Sequence, residues 1–461
     1  MFRKEMLSVI LLKRFNRHKS PFVAVVIAII SGFIPPSIHS QSVIAIKGGT
    51  VITMAGQTLK SGIVLIKDGK IIKVGEGISI PKEAKVINAS GKFVMPGFID
   101  AMTYYGIRPS DLTDTSSPVT PQNRIINAYS PVEDFNFEKS GVRRDQELLR
   151  GGITTIYIAP GNGQVIGGQG AVVKTHGRDF ESLVLREPAA MDMTLGDSPK
   201  NRLYGIQTPT TRMAVASLIR KVLSNAQEYD RKIREFKKNS EAERKYTSKD
   251  DKKKAKAPER DLGMEALAKV LQKVMPVRIE ADLADDIRTA IRLKEEFKFD
   301  LIIDRGLAAY KLKDVLSEKD IPVVLGPLSH PYKPVYREYL PQSELYTQLN
   351  EYNAALLTKA GVKIAIASFG YGSEYSVSSY HGKWLMIEAA IATGFGLPEE
   401  DALKAITINP AEILGVDDRT GSLEAGKDAD VIILSGPPLD VKSWVEYVFI
   451  DGNLIYTRGT N

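Results

Sequence analysis

The sequence GKFVMPGFID, at residues 91–100, joins two regions of different pattern. Before it, residues 42–96 hold short β-branched runs that are separated by glycine. Asp68-Gly69, between two of these runs, is predicted to form a tight hairpin turn because both residues accept positive φ. After it, strand-like and helix-like stretches alternate as far as residue 414. The join therefore predicts a small β-domain that leads directly into a larger α/β domain.

The larger domain, residues 98–414, is predicted to be a parallel β-sheet with helices packed around it. The candidate strands are Gly97–Ala101, Thr154–Ala159, Val277–Ala281, Asp300–Ile303, Ile321–Leu325 and Lys363–Ala367. The candidate helices are Arg212–Phe236, Asp286–Phe297, Tyr310–Ser317, Glu351–Ala360, Trp384–Thr393 and Glu399–Thr407. Repeated β–α units of this kind form either a closed barrel or an open sheet. No dinucleotide-binding fingerprint follows a strand, which disfavours a Rossmann fold.

A β-rich pattern returns at the C-terminal end of the chain. Strand-like runs cover residues 430–434, 445–450 and 454–456, and Asp451-Gly452 stands between the last two as a turn. Residues 41–97 and 415–461 are therefore predicted to build one small composite β-sandwich.

The composition excludes several classes of site. With 43% hydrophobic and 25% charged residues, the chain has the composition of an ordinary globular protein. It contains no cysteine, which excludes disulfides, thiolate zinc sites, iron–sulfur clusters and cysteine nucleophiles. The net charge of +7 comes from two segments, since residues 1–40 contribute +5 and residues 231–260 contribute +7, leaving −5 for the remainder. Nucleic acid is therefore not an expected partner.

Residues 1–40 have the pattern of a secretory signal. Six basic residues precede the apolar run 22–34, and small residues follow before Gln41. The run is shorter than the roughly 20 residues that a membrane span needs. We expect export to a periplasm-like compartment, with no stable membrane span after processing. An uncleaved anchor and a misassigned start codon are the alternatives.

Residues 237–260 contain almost no apolar side chain. Such a segment cannot bury enough surface to offset the entropy lost on ordering. We interpret it as a solvated extension of the preceding helix followed by a mobile loop. A basic patch for acidic partners is the alternative.

The join segment resembles the entry to the first barrel strand in the amidohydrolase superfamily. Residues 407–415, TINPAEILG, and 421–430, GSLEAGKDAD, resemble that superfamily's exit into its composite β-sandwich. The resemblance covers residues 42–458 and is nearest to exported imidazolonepropionase-like members. It implies an α/β fold, a (β/α)8 TIM-like barrel plus the composite sandwich, with the site at the C-terminal mouth of the barrel. It also implies metal-dependent hydrolysis of carbon–nitrogen bonds in cyclic amides, amidines or dipeptides.

The resemblance fails at the positions that would bind the metal. Members of the superfamily use four histidines and an aspartate there, and this chain has Met102, Tyr104, Glu280, Arg305 and Phe369 at the matching positions. A thioether is a poor ligand for such an ion, and a phenol with a pKa near 10 is seldom ionised. Only Glu280 retains a suitable donor. We therefore expect no zinc site and no other cofactor.

The histidine count leads to the same expectation. After removal of the signal only His176, His330 and His381 remain, and none has metal-ligand spacing to another. His176 is interpreted as a turn residue and His381 as the start of a helix. His330 follows a strand and is a candidate ligand contact on the mouth loops.

The substituted residues suggest a hypothesis for the vacant space. A Glu280–Arg305 pair, joined by Asp282 or Tyr104, would fill the volume of the ion because a guanidinium matches a carboxylate bidentately. These four residues are the catalytic candidates, with Glu280 as the base. The alternative is that they drifted after activity was lost and face the solvent.

A glycine-rich stretch, residues 161–170, follows the strand that ends at Ala159. Its glycines allow backbone amides to approach a ligand closely. It lacks the lysine of a phosphate-binding loop, so either fold support or ligand contact through Gly167, Gly168 and Gln169 is expected.

Two functions follow from this pattern. The first is a non-catalytic member that binds a small molecule in the barrel mouth, or that forms a homo- or hetero-oligomer with a related amidohydrolase as a structural partner. The second is a hydrolase of amide, cyclic amide or dipeptide carbon–nitrogen bonds that works through an unconventional or metal-free site.

Overall fold

The computed structural model describes residues 43–130, 144–177, 179–200, 209–246, 257–328, 350–369 and 383–459. The predicted signal, residues 1–40, lies outside the described residues. The same holds for His330, His381 and residues 247–256 of the charged stretch.

Both ends of the described chain contribute to one β-sheet. Its strands are β1 (Ile44–Ile52), β2 (Thr58–Lys67), β3 (Lys70–Gly75), β4 (Lys85–Asn88), β5 (Phe93–Pro96), β14 (Val431–Leu434), β15 (Val445–Ile450) and β16 (Asn453–Thr457). They pair in the order β16-β15-β14-β5-β1-β2-β3, with β4 beside β1. The two ends meet where β5 and β14 pair antiparallel, with Val431 opposite Pro96. The predicted composite of both ends is confirmed, as one continuous hydrogen-bonded sheet.

The predicted turns of this sheet are confirmed by their backbone angles. Asp68 and Gly69 have φ of 51° and 78°, and Asp451 and Gly452 have φ of 49° and 70°. Positive φ at both central residues matches the twist of the paired strands, so these dipeptides set the register of β2 with β3 and of β15 with β16.

The central domain is an eight-stranded sheet that curls into a barrel. Its strands are β6 (Phe98–Thr103), β7 (Ile153–Ile158), β8 (Ile166–Lys174), β9 (Val184–Thr194), β10 (Val277–Ala281), β11 (Leu301–Arg305), β12 (Val323–Leu325) and β13 (Ile364–Ile366). Neighbours in sequence are neighbours in the sheet. The amide of Phe369 donates to the carbonyl of Met102 at 3.0 Å, which brings the chain after β13 to β6. The barrel predicted from sequence is confirmed.

The helices of the described ranges surround this sheet. They are α1 (Arg144–Arg150), α2 (Phe180–Leu183), α3 (Arg212–Tyr246), α4 (Leu262–Leu271), α5 (Ala284–Phe297), α6 (Lys313–Glu318), α7 (Asn353–Lys359), α8 (Leu385–Gly394), α9 (Glu399–Lys404) and α10 (Ile408–Leu414). Short 3-10 turns lie at Pro109–Asp111, Ile125–Ala128 and Ala309–Leu312. The apolar faces of the helices and the inward faces of the strands form one continuous core.

The barrel differs from the prediction in its third and fourth strands. Strand β8 runs antiparallel to β7 and β9, and neither β8 nor β9 was predicted from the sequence. Three of the nine residues of β8 are glycine, which is typical of a loop. Pro188 interrupts β9, which is typical of a strand break. The antiparallel pairing overrides both local signals, because β8 lies between two partners and is buried along its whole length.

Two helical predictions also need correction. Helix α3 continues beyond Phe236 to Tyr246, so part of the charged stretch is helical, as the extension was expected to be. The predicted helix Glu399–Thr407 ends at Lys404, and a separate helix α10 begins at Ile408. In the part of the chain that the structure describes, no helix is long and apolar enough to cross a bilayer.

A buried group of charges joins the sheet to the barrel, and we call it the junction cluster. The Nζ atom of Lys174, at the end of β8, lies 2.9 Å from Asp428, 3.1 Å from Asp430 and 2.6 Å from Asp451. Burial alone would lower the pKa of Lys174, but the three carboxylates outweigh it and raise this pKa. Asp428 also accepts from Arg419, at 2.7 Å, and its pKa falls to about 2 against the opposing effect of burial. The junction cluster therefore ties the C-terminal part of the chain to a barrel strand.

Candidate functional site

The C-terminal ends of the parallel barrel strands form one face, the mouth of the barrel. Glu280 lies near the end of β10, Arg305 ends β11, and Phe369 follows β13. In a barrel of this kind the loops at this face carry the site. Three positions that the resemblance identified are therefore at the mouth.

The structure brings Glu280, Asp282 and Arg305 together, and we call these three residues the mouth cluster. The Nε atom of Arg305 donates to Oδ1 of Asp282 at 3.1 Å and lies 3.8 Å from Oε1 of Glu280. Glu280 is 7% exposed and Arg305 is 4% exposed. The alternative in which these residues face the solvent is therefore wrong.

Glu280 is held by further polar contacts. Its Oε1 atom accepts from Nδ2 of Asn162 at 2.8 Å and from the Ser198 hydroxyl at 3.4 Å. Burial raises the pKa of Glu280, and the guanidinium of Arg305 acts in the opposite direction. The carboxylate is thus a buried acceptor whose geometry is set by loops that follow β7 and β9.

Two of the positions that the resemblance matches to metal ligands have a strained backbone. Arg305 has φ of 68° and Phe369 has φ of 47°, in the left-handed region that non-glycine residues rarely adopt. Such conformations cost about 1–3 kcal/mol and are concentrated at functional sites. Their presence at two strand ends of the mouth indicates that the mouth keeps a constrained backbone shape.

Met102, Tyr104 and Phe369 supply apolar volume to the interior. All three are buried in the barrel core, and Tyr104 is 2% exposed. The predicted apolar filling by Met102 and Phe369 therefore agrees with the structure, and Tyr104 belongs to the same core.

Asp100, which precedes Met102, links the first and last strands. Its carboxylate accepts from the Ser368 amide at 3.0 Å and from the Ser368 hydroxyl. Burial raises the pKa of Asp100 from 3.8 to about 6, although the bonds from Ser368 oppose the rise. The sequence analysis did not identify this closing contact.

A second buried ionic group lies one layer below the mouth. Arg278 is two residues before Glu280 on β10, so both side chains point to the same face. Its Nε and Nη2 atoms donate to the two carboxylate oxygens of Asp304 at 2.9 and 2.6 Å. The guanidinium also lies over the ring of Tyr157, 4.0 Å from the centroid. Tyr157 in turn donates to Asp192 at 2.7 Å.

We call this group the interior network, and it was not predicted from the sequence. Asp192, Arg278 and Asp304 each follow an apolar residue in a buried part of a strand. A charged residue at such a position must be paired in the interior, so a charge directly after an apolar strand residue was the available signal. Burial raises the pKa of Asp192 well above its usual range, although Arg278 opposes the rise.

The glycine-rich stretch has two structural parts. Residues 159–165 form the loop after β7 that carries Asn162, and Gly167, Gly168 and Gln169 lie in strand β8. Gly168 has φ of 132°, and a Cβ atom there would lie 2.5 Å from the carbonyl oxygen of Asn123. Gln169 donates from Nε2 to the carbonyl of Pro121 at 2.8 Å. Gly168 and Gln169 therefore hold the segment after β6 in place.

A cavity of about 650 Å³ opens beside this loop. The loops that line it follow β6 and β7, so it lies on the mouth face. Its polar and charged lining includes Asp111, Asp114, Asn123, Arg124, Asn127 and Gln164, and Gly167 also contributes. Arg124 forms a bidentate ion pair with Glu187, in which its Nε and Nη2 atoms donate to the two carboxylate oxygens. Gly167, one of the predicted ligand-binding residues, therefore lies against a cavity.

The remaining histidine within the described residues does not contribute to the mouth. His176 is exposed in the turn after β8, as the sequence predicts. Within the described ranges, no three or more histidine, aspartate or glutamate side chains are arranged to hold a metal ion.

Comparisons with known proteins identify relatives over most of the chain. The family model described as "Amidohydrolase family" matches residues 187–455. The amidohydrolase tasK of Hapsidospora irregularis is 26% identical over 418 residues, which are 85% of this chain and 39% of that protein. The imidazolonepropionase of Flavobacterium johnsoniae is 23% identical over 86% of this chain and 92% of its own length. This chain therefore spans well under half of tasK and nearly all of the imidazolonepropionase.

A solved structure shows the same architecture. The crystal structure of an amidohydrolase from Thermotoga maritima MSB8 has a TM-score of 0.75 and is 37% identical. The match covers 90% of this chain and all of that one. The matched family model, the shared barrel and the composite sheet together show that this chain belongs to the amidohydrolase family.

Proposed function

We propose that this protein is a member of the amidohydrolase family that does not use metal-dependent hydrolysis and instead binds a small polar molecule at the barrel mouth. One observation carries the proposal. The guanidinium of Arg305 lies against the carboxylates of Glu280 and Asp282, at 3.8 and 3.1 Å, where the resemblance places a divalent ion. A permanent cation therefore already compensates part of the charge of these two carboxylates.

The donor set does not fit the ion. Of the five matching positions only Glu280 offers an oxygen ligand suited to a divalent cation, and that oxygen accepts from Asn162. Arg305 has no lone pair to donate because its guanidinium stays protonated. We therefore derive no hydrolytic step through a metal.

The mouth cavity suggests the chemistry of the ligand. Asp114 is ionised, because bonds from Ser116 and Asn123 lower the pKa of its carboxyl group. The lining also offers the carboxylate of Asp111 together with amide and hydroxyl groups, and its guanidinium, Arg124, is held by Glu187. A ligand with several hydroxyl or ammonium donors fits such a surface best. Asn162, which donates to Glu280 of the mouth cluster, belongs to the loop whose Pro160 and Gln164 line this cavity.

Elemental analysis and turnover assays test the proposal together. We expect purified protein to hold no stoichiometric zinc or manganese, and to release no product from N-acyl amino acids, dipeptides or cyclic amides. We expect amino acids or polyols to raise its melting temperature, and Asp114→Asn to weaken this effect. Stoichiometric metal that is lost together with activity on chelation would contradict the proposal.

One observation favours a second candidate, a metal-free hydrolase. Glu280 is a buried carboxylate whose pKa is raised at the mouth, and such groups often serve as general bases. Under this alternative, Glu280→Gln abolishes turnover of amide substrates while the melting temperature is retained. Glu318→Gln, at an exposed position, is the matched control.

The cellular context is a further part of the proposal. The basic and apolar pattern of residues 1–40 supports export to a periplasm-like space. We also propose that the protein associates with an intact relative of its family. Fractionation of expressing cells with sequencing of the mature N-terminus tests the first point, and co-purification with the relative tests the second.

A further inference from the structure

The two tryptophans of this chain line one cavity. Trp384 and Trp444 are the only tryptophans among the 461 residues, and both border a cavity of about 350 Å³. Their exposed fractions are 39% and 48%. Side chains of this size normally bury most of their apolar surface on folding. Two of them left open on the same cavity indicate a surface that gains from being covered by a ligand.

This cavity is distinct from the mouth. Gly151 borders it and stands just before the first residue of β7, whereas the mouth loop begins after the last residue of that strand. A six-residue strand is about 20 Å long, so the two cavities lie at opposite ends of β7. The cavity is formed by α1, the start of α8 and the ends of β15 and β16. It therefore lies where the barrel helices meet the terminal sheet.

The lining has an excess of positive charge. Arg150, Lys383 and Arg458 border the cavity, and Glu147 is the carboxylate among its lining residues. Glu147 already pairs with Arg150 at 3.1 Å and with Lys383 at 2.8 Å. Among the described residues, no carboxylate forms an ion pair with Arg458, whose guanidinium stacks on Trp444 at 4.6 Å from the ring centroid.

We infer that this cavity is a binding site for a small aromatic carboxylate. Lys383 lies over one face of Trp384 and Arg458 over one face of Trp444, and the remaining exposed surface of the two rings provides apolar walls for a ligand ring. The guanidinium of Arg458 can donate two parallel hydrogen bonds to a carboxylate. A guanidinium that stacks on an aromatic ring uses its flat face for this contact. The N–H donors at its edge can therefore still bind an anion. Benzoate is the simplest probe of this chemistry.

Tryptophan fluorescence, excited where tyrosine absorbs little, reports on this site alone, because the chain has no other tryptophan. We expect benzoate to change the emission in a saturable manner at millimolar concentration or below. The single-tryptophan variants Trp384→Phe and Trp444→Phe should each report the same Kd, since phenylalanine preserves an aromatic wall. Benzamide, which has the same ring and no charge, should bind about tenfold more weakly.

Arg458→Gln tests the anion contact directly. We expect it to weaken benzoate binding about tenfold and to leave benzamide binding unchanged. Arg288→Gln is the matched control, because Arg288 is an exposed arginine of α5 that does not border the cavity. Circular dichroism of each variant establishes that it is folded, and the comparison of benzoate with benzamide on the unmodified protein does not depend on any variant.

Three results would overturn the inference. The first is equal affinity for benzoate and benzamide, and the second is a benzoate response from one tryptophan but not the other. The third is an emission change that follows protein concentration instead of ligand concentration, which would identify the tryptophans as a contact between copies of the chain.

Discussion

The junction cluster and the mouth cluster both surround one buried cation with carboxylates, yet they serve different ends. Lys174 is fully buried, and its ammonium contacts three aspartates from the C-terminal part of the chain. Arg305 contacts Glu280 and Asp282, which belong to the adjacent strand and to the loop that follows it. The first cluster joins two domains, whereas the second lies at the face where this family carries its site.

The comparison shows that a buried ion pair does not by itself indicate function. Both clusters contain strongly desolvated charges. Each cation remains charged in the interior because its carboxylate partners compensate for the lost hydration. The difference lies in what surrounds them. The mouth cluster is reached by a cavity-lining loop through Asn162, and Arg305 has a left-handed backbone. The two clusters therefore differ in their position in the fold and in their access to a cavity, more than in the ion pairing that both contain.

The largest effect is expected at the junction cluster. Lys174→Met leaves Asp428, Asp430 and Asp451 without their shared buried cation, and we expect a loss of about 3–5 kcal/mol in the free energy of unfolding. Urea denaturation measures it. Lys319→Met removes an exposed ion pair with Glu295 and should be indistinguishable from the unmodified protein. If Lys174→Met lowered the free energy of unfolding as little as Lys319→Met, the structural role assigned to the junction cluster would be wrong.

The interior network should respond nearly as strongly. Arg278→Met leaves the carboxylate of Asp304 buried without its bidentate partner, and we expect a loss of about 3 kcal/mol in the free energy of unfolding. The double variant Arg278→Met/Asp304→Leu should recover part of this loss, because it removes the uncompensated charge. The absence of any recovery would show that the two side chains are not energetically coupled.

The mouth cluster is expected to contribute less. Arg305→Leu should lower the free energy of unfolding by about 1–3 kcal/mol, because Asp282 retains partial contact with water and Glu280 can take up a proton. A melting curve measures it. An unchanged melting temperature would contradict a compensated buried cation at Arg305 and would weaken the proposed function.

The smallest expected effect is a change in the way the free energy of unfolding depends on pH. The pKa of Asp100 is about 6 in the folded protein against 3.8 for the free side chain, so the folded state binds the proton more tightly. The contribution of Asp100 to stability is therefore greatest below pH 3.8 and falls as the pH rises to about 6. Asp100→Asn should flatten this part of the stability profile, because its amide can accept from the backbone and donate to the Ser368 hydroxyl.

Asp286 is a second titrating carboxyl group, so the stability profile of Asp100→Asn is not expected to become completely flat with pH. Burial also raises its pKa to about 6, so a residual slope of the same sign is expected in Asp100→Asn. Asp314→Asn, at an exposed position that does not act on Asp100 or Asp286, should leave the whole profile unchanged. A steeper profile in Asp100→Asn would show that the sign assigned to Asp100 is wrong.

Much of the fold could be predicted because its signals are local. The Asp68-Gly69 and Asp451-Gly452 turns, the strand Val277–Ala281 and the α5 helix follow from turn chemistry and periodicity. Strands β8 and β9 could not be predicted, because glycines and Pro188 are tolerated there through pairing with neighbouring strands. The pair of Arg305 with Glu280 was inferred from charge, while the contribution of Asn162 was not.

Residue identity and spacing along the chain were enough to predict the family, which the comparisons confirm, and to predict that imidazoles are missing from the positions that the resemblance matches to its metal ligands. These features depend only on covalent order, so no folding is needed to read them. The tertiary structure decided which buried charges meet, as with Lys174 and Asp451, which are 277 residues apart in sequence. Such pairings depend on the path of the chain and on the local dielectric environment, since a charge is stable in the interior only where the fold brings a partner within contact distance.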